Sequence, residues 1–327
     1  MNRLIVGCGY VGSEIARIWL AKGDSVYAIT RSTSRVEELK RLGIQPVVWD
    51  WYRPSVSDNL LVLPKIDSVV VCVSHAPVEG ITPEKTHTLG LDNLLHHWLH
   101  DSEDGFPACW CYVSTTGVYA PRDDGGWVDE EAEVLPLRPG SIAAKAAEDW
   151  FEREIFSRVQ SGMANNALLH GCILRAAGIY GPGRIPRLDV LINNEPIAID
   201  PESYLNLIHV VDLAGIVASV FDGLTPHRMY NVADGNPVRR RDYYDFIARQ
   251  IGSLPPRFEF ANKQIQIMNS PVHAFAKVQS DASTSKPAAR SRGEGSKRIR
   301  TDLLKESVPY SFQFPNFQAG LTPLLPK

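Results

Sequence analysis

LIVGCGYVGSEIARIWL, residues 4–20, is the stretch on which the fold turns. Leu4, Ile5 and Val6, closed by Gly7, make the apolar run of a buried parallel strand. Glycines 7, 9 and 12 then turn the chain into a helix whose apolar positions Val11, Ile15, Ile18 and Trp19 recur at helical spacing. G-x-G-x-x-G with a strand before it and a helix after it is a dinucleotide-binding fingerprint. Gly7 serves the tight turn, Gly9 lets the backbone approach a pyrophosphate, and Gly12 lets helix and strand pack closely. The free N–H groups of the helix start face the anion, and the helix dipole helps. Gly7, Gly9, Tyr10, Val11 and Gly12 are therefore candidate cofactor contacts.

The cofactor type turns on what ends the second strand, SVYAIT at 25–30. An NAD site places an acidic residue there, about 20 residues past the glycines, to accept from the ribose hydroxyls. Here stand Thr30 and Arg31, with Arg35 one helical turn on, while Asp24 lies before the strand. A guanidinium in that place suits a 2′-phosphate, so Arg31 and Arg35 point to NADP, with NAD as the alternative.

Further strands follow at Pro46–Trp49, Ser68–Val73, Cys109–Val113 and Leu168–Leu174, alternating with helices. Val36, Leu39 and Leu42 mark the inner face of the first of these helices, Leu91, Leu94, Leu95, Trp98 and Leu99 the next, and a third runs over 141–160. The alternation predicts an α/β fold with a doubly wound parallel sheet of six or seven strands. Ligands of such sheets sit outside the carboxyl ends of the strands, which brings in Ser74 and His75 after strand four and the run from Ser114 to Tyr119 after strand five. The polar stretch 122–139 is a long loop of the kind that is more often functional than idle. After Gly178 the pattern loosens, so the chain divides into a dinucleotide-binding domain at 1–178 and a smaller substrate-side lobe at 179–327. Within the lobe, 279–298 has hardly an apolar residue and is expected to be disordered.

Composition narrows the partners. The chain has 327 residues, 44% hydrophobic and 22% charged, the mix of an ordinary globular protein. Net charge is −3, which gives no field for nucleic acid or an anionic membrane. Five cysteines, at 8, 72, 109, 111 and 172, lack a paired spacing and read as reduced thiols in a cytoplasm. The apolar run near Asn2-Arg3 is broken by three glycines, Glu14 and Arg17, so it is not a secretion signal, and 205–221 carries His209 and Asp212, too polar to span a bilayer. His96 and His100 stand at i, i+4 without a third ligand, and no metal is expected.

With these residues placed, the chain resembles an extended short-chain dehydrogenase/reductase of the NAD-dependent epimerase/dehydratase group. The matching pieces are GCGYVG at 7–12, STTGVY at 114–119, LRAAGIYGPGR at 174–184, IHVVDLA at 208–214 and YNVADGNPVRRRDYYDFIA at 230–248. SKRIRTDLLKE at 296–306 and YSFQFPNFQAGL at 310–321 resemble the atypical branch labelled nucleoside-diphosphate-sugar epimerase-like. The resemblance implies an NAD(P)-dependent oxidoreductase or epimerase/dehydratase acting on a small carbonyl or nucleotide-linked sugar, with the helix around Leu91–Leu99 as a dimer face. It implies Thr115 as the Ser or Thr four residues before the strand-five tyrosine, Tyr119. It also implies Tyr-x-x-x-Lys on the following helix, where Lys145 supplies the lysine that holds the nicotinamide ribose, and Ser141 stands in place of the tyrosine. A serine lacks the reach and acidity of that phenol. The alternative is therefore a module that holds NADP(H) without turnover and is read by a partner. His75, Tyr119 and Tyr180 lie at the carboxyl edges of strands, and Asp123, Asp124, Asp129, Glu130 and Glu131 in the loop, but spacing assigns none of them the acid's place, and core, wall and surface roles are the simpler readings.

Overall fold

The computed structural model describes residues 1–52, 61–101, 105–158, 170–223, 228–259 and 295–325. In chain order its elements are β1 (Asn2–Val6), α1 (Tyr10–Ala21), β2 (Ser25–Thr30), α2 (Val36–Arg41), β3 (Gln45–Val48), β4 (Ser68–Val71), α3 (Pro83–His96), β5 (Cys109–Thr115), β6 (Trp127–Val128), α4 (Pro139–Phe151), β7 (His170–Ala176), β8 (Gly178–Tyr180), α5 (Leu188–Ile192), β9 (Tyr204–Leu205), β10 (Leu207–His209), α6 (Val210–Asp222), β11 (Met229–Val232), β12 (Val238–Arg239), α7 (Arg240–Ile251), β13 (Arg298–Ile299), α8 (Asp302–Ser307) and α9 (Phe317–Leu321).

Seven of these strands form one sheet in the order β11-β7-β5-β4-β1-β2-β3, every pairing parallel. Parallel strands covered on both faces carry unbroken apolar runs, which is why β4 reads SVVV and is buried throughout. The two-residue period of a strand splits β1 between two cores. Ile5 joins Trp19 of α1 and Leu213, Ile216 and Val217 of α6 on one face, where α1 lies against α6. Leu4 and Val6 join Leu91, Leu94 and Trp98 of the α3 segment and Trp150 and Phe151 of α4 on the other. There Trp98 and Trp110 meet edge to face, their centroids 5.1 Å apart. This is the doubly wound architecture expected from the sequence.

Departures from expectation have local causes. Leu39 of α2 is fully buried, whereas Leu42 caps the helix and is 50% exposed, because the helix has already ended. The helix expected over 141–160 starts at Pro139, a residue whose fixed φ suits the first helical position. After Phe151 it gives way to a π-helical turn, Glu152–Phe156, and 159–160 lie outside the described residues. The expected boundary at 178 is crossed by the sheet, since α6 covers one face and β11 supplies the edge strand beside β7. Of the segment read as disordered, 279–294 lie outside the described residues. Residues 295–298, by contrast, lead into β13, which pairs in parallel with β6 inside the 122–139 loop. Asn206 fastens this strand, its Nδ2 donating to the Lys297 carbonyl and its Oδ1 accepting from Ile299, each at 2.8 Å. Among the described residues no helix is long and apolar enough to cross a membrane, and no group of three His, Cys, Asp or Glu side chains is placed to hold a metal.

Candidate functional site

A cleft of about 1660 Å³ runs across the carboxyl edge of the sheet, between it and the lobe built from β8, β10, α5 and α7. Its floor is the glycine loop. Gly7 has φ +93°, and a Cβ there would come within 2.8 Å of the Val73 backbone. A Cβ on Gly12 would come within 2.7 Å of the Gly7 carbonyl oxygen. A Cβ on Gly9 would meet nothing within 4 Å. Two glycines are thus demanded by packing, and the third leaves open space at the start of α1, where no side chain caps the helix. Uncapped N–H groups above such a space suit an anion. Tyr10 borders the same space with Arg184 of the lobe 5.4 Å over its ring, while Val11 is turned into the core.

At the β2 end, Arg35 donates from Nη1 to the Cys8 carbonyl at 2.7 Å and pairs with Glu38, so its guanidinium lies on the glycine loop. Arg31 stands 4.9 Å over the ring of Tyr52. Both arginines line the cleft.

The other end lies beyond β4 and β5. Ser74 is exposed on the cleft wall, and beside it His75 packs against Gly140 at the start of α4. Behind His75, the buried His87 pairs through Nδ1 with the Tyr112 hydroxyl at 3.0 Å. Burial, with His75 nearby, pushes His87 down to about 4, so it is neutral. Among the described residues, Tyr10 Oη, His75 Nδ1 and His87 Nε2 are buried without a hydrogen-bond partner, all three on residues of the cleft wall. Such orphaned polar atoms suit a ligand that brings partners of its own.

Of the expected catalytic residues, Thr115 and Ser141 line the cleft side by side, and Lys145 does not reach it. Thr115 Oγ1 accepts from the Gly117 N–H at 3.0 Å and caps the turn that follows β5. Ser141 is buried, and its hydroxyl donates to the Arg138 carbonyl at 2.9 Å and accepts from the Arg138 N–H at 3.1 Å, a helix cap rather than a free group. Lys145 pairs with Asp149 one turn on and is absent from the cleft wall, which α4 forms with Gly140, Ser141 and Ala144. On the same helix, Glu148 is drawn inward to Arg175 of β7, at 2.8 and 3.0 Å. At the cleft α4 offers no phenol, and its one amine, Lys145, is engaged by Asp149.

Sequence reading missed Lys297. It lines the cleft from the residue before β13, with Nζ 3.3 Å from the Tyr119 carbonyl and 5.5 Å from the centre of its ring. Burial, and next the like charge of Arg138, bring its ammonium down to about 8. The signal available was the single apolar Ile299 in KRIR, too short to show a strand period.

Comparison with known proteins agrees with this geometry. The model of the NAD-dependent epimerase/dehydratase family matches residues 4–233. Protein YeeZ of Escherichia coli K12 is 26% identical over 259 residues, which cover 78% of this chain and 85% of YeeZ. A protein of unknown function from Silicibacter pomeroyi superposes with a TM-score of 0.66 at 26% identity, over 99% of this chain and 97% of its own. UDP-glucose 4-epimerase from Thermotoga maritima, solved with UDP-glucose, superposes with a TM-score of 0.71 at 17% identity and the same coverage.

Proposed function

The chain belongs to the NAD-dependent epimerase/dehydratase family, and from that premise we propose that it binds a nicotinamide dinucleotide, NADP in preference to NAD, and acts on a small carbonyl or nucleotide-linked sugar. The glycine loop carries this reading: it is packed solid at Gly7 and Gly12 and open at Gly9, beneath an uncapped helix start. A nicotinamide held there supplies hydride exchange at its ring. Gly9 and the first turn of α1 would hold the pyrophosphate, Arg35 and Arg31 the adenosine side, and the wall of Ser74, His75 and Ala144 the nicotinamide side.

Pockets for one small ligand measure roughly 300–1,000 Å³, so about 1660 Å³ leaves room for a second molecule beside the cofactor. Arg184 and Arg240 stand on the lobe side of that room and suit an anionic group such as a diphosphate. The lobe, the apolar setting of the cysteines and the 44% exposed Leu99 beyond α3 support the remaining parts of the reading: a separate substrate side, a cytoplasmic setting and a homodimer. A second reading, a module that holds NADP(H) without turnover, is favoured by one observation, the absence of a phenol from the cleft face of α4.

Calorimetry with the two cofactors tests the preference. NADPH should bind more tightly than NADH, and Arg35→Ala should shrink the gap by roughly ten- to a hundredfold, the worth of a charge-assisted hydrogen bond of about 1.5–3 kcal/mol. Equal affinities in the unaltered protein would remove the NADP preference.

A further inference from the structure

The cleft holds hydrogen-bonding groups at its nicotinamide end, yet the helix expected to supply the proton donor presents Gly140, Ser141 and Ala144. We propose that Lys297, reaching in from the C-terminal strand, is the group that gives and takes the proton in this site. The inference rests on the cofactor reading above.

Position supports it first. Lys297 Nζ is held against the carbonyl of Tyr119, where the β5 turn leads into the loop, and its charged neighbour is Arg138, the N-cap of α4. The amine thus stands where the end of β5 and the start of α4 converge, the corner in which the missing phenol is expected. The backbone behind it is fixed by Asn206 on one side and by pairing with β6 on the other. Lys297 also shares a wall with Thr115 and Ser141.

Chemistry supports it second. Among the described residues no carboxylate forms an ion pair with Lys297, and the groups facing it are the Tyr119 ring and the Arg138 guanidinium. With a pKa of about 8 it is mostly an ammonium at neutral pH yet releases its proton readily. The neighbouring candidates titrate elsewhere. Burial lifts the Tyr119 phenol to about 12 and Tyr112 well above its ordinary value, and His87 is already neutral. In the reducing direction, an N–H bond of Lys297 breaks and an O–H bond forms on the substrate carbonyl oxygen. A reduced nicotinamide held along the Ser74, His75 and Ala144 wall would supply the hydride to the carbonyl carbon, and a proton from bulk solvent would restore the ammonium.

The test begins with the unaltered protein, so folding of a variant is not at issue. Trace acetylation with acetic anhydride is followed lysine by lysine by mass spectrometry over roughly pH 6 to 11, against an ordinary lysine midpoint of about 10.4. Lys297 should show a midpoint near 8, and saturating NADPH should slow its labelling about tenfold or more while Lys22 and Lys40 are unaffected. Turnover of a panel of UDP-sugars and simple aldehydes with NADPH is then compared in Lys297→Met and Lys297→Arg. Both should lose about 10²- to 10⁴-fold in kcat with NADPH affinity kept, since arginine retains the charge but does not release its proton at working pH. Rescue by Lys297→Arg, unchanged turnover in Lys297→Met, or labelling indifferent to NADPH overturns the proposal; with a silent panel the labelling decides. Calorimetry separates the two readings: no NADPH binding overturns the cofactor reading and this inference with it, whereas binding without protection of Lys297 overturns this inference alone.

Discussion

Glu148→Gln should cost the fold about 3–5 kcal/mol, as breaking one partner of a buried ion pair does. Glu148 and Arg175 are 2% and 4% exposed and meet through two hydrogen bonds at 2.8 and 3.0 Å. Ser114 Oγ adds a third bond to the same carboxylate at 2.5 Å. Gln keeps the shape and loses the charge, so the buried guanidinium, which cannot shed its proton at any ordinary pH, loses its paired counter-charge. Because the pair joins α4 to β7, and Ser114 joins it to β5, the damage extends to the cleft wall, and NADPH affinity should fall together with stability. Urea unfolding with an unchanged slope would read the loss as stability rather than as a change in the unfolded chain. A cost under about 1 kcal/mol would mean that the pair does not fix the helix. Glu148→Met with Arg175→Met should recover much of the loss, because two apolar groups need no partner.

That ion pair also shows where sequence reading reaches its end. The glycine loop was legible because its three glycines, the apolar run before them and the helical period after them all agree on one local structure. The parallel sheet was legible for the same reason, strand by strand. The engagement of the α4 side chains was not. The four-residue spacing of Ser141 and Lys145 is in the sequence. The cap that Ser141 makes with Arg138, the pairing of Lys145 with Asp149, and the pull of Arg175 on Glu148, a contact between residues 27 apart in sequence, are not. Lys297 was hidden by a different cause. Its strand has two residues, so no alternation is visible, and its burial comes from β6 and Asn206, distant in the chain. Composition alone reads such a stretch as solvated. The edge strand β11 was obscured similarly, since the irregular lobe precedes it and the sheet takes it back.

Gly9→Val should abolish tight NADPH binding, by about 100-fold or more, and leave the fold standing; Gly12→Val should first of all lower stability. The contrast follows from what surrounds each position. At Gly9 φ is −97°, within the range of ordinary residues, and an added Cβ has free space on every side. No described atom lies within 4 Å of the added Cβ, so the melting temperature should stay within a few degrees of the original. The space it fills is, however, the space above the uncapped N–H groups of α1, and a pyrophosphate displaced from them loses close backbone hydrogen bonds to an anion. Two such bonds at about 1.5–3 kcal/mol each account for a loss of two orders of magnitude or more. At Gly12 the added carbon lies 2.7 Å from the Gly7 carbonyl and 3.0 Å from the Ile5 side chain, so α1 must move off the sheet before any ligand is considered. Overpacking of that kind costs about 1–3 kcal/mol, visible as a lower melting temperature without NADPH. Calorimetry and thermal unfolding on the two variants read the two effects separately. If Gly9→Val bound NADPH as the unaltered protein does, the open space at Gly9 would not be the seat of the pyrophosphate, and the cleft would have to take its dinucleotide elsewhere or not at all.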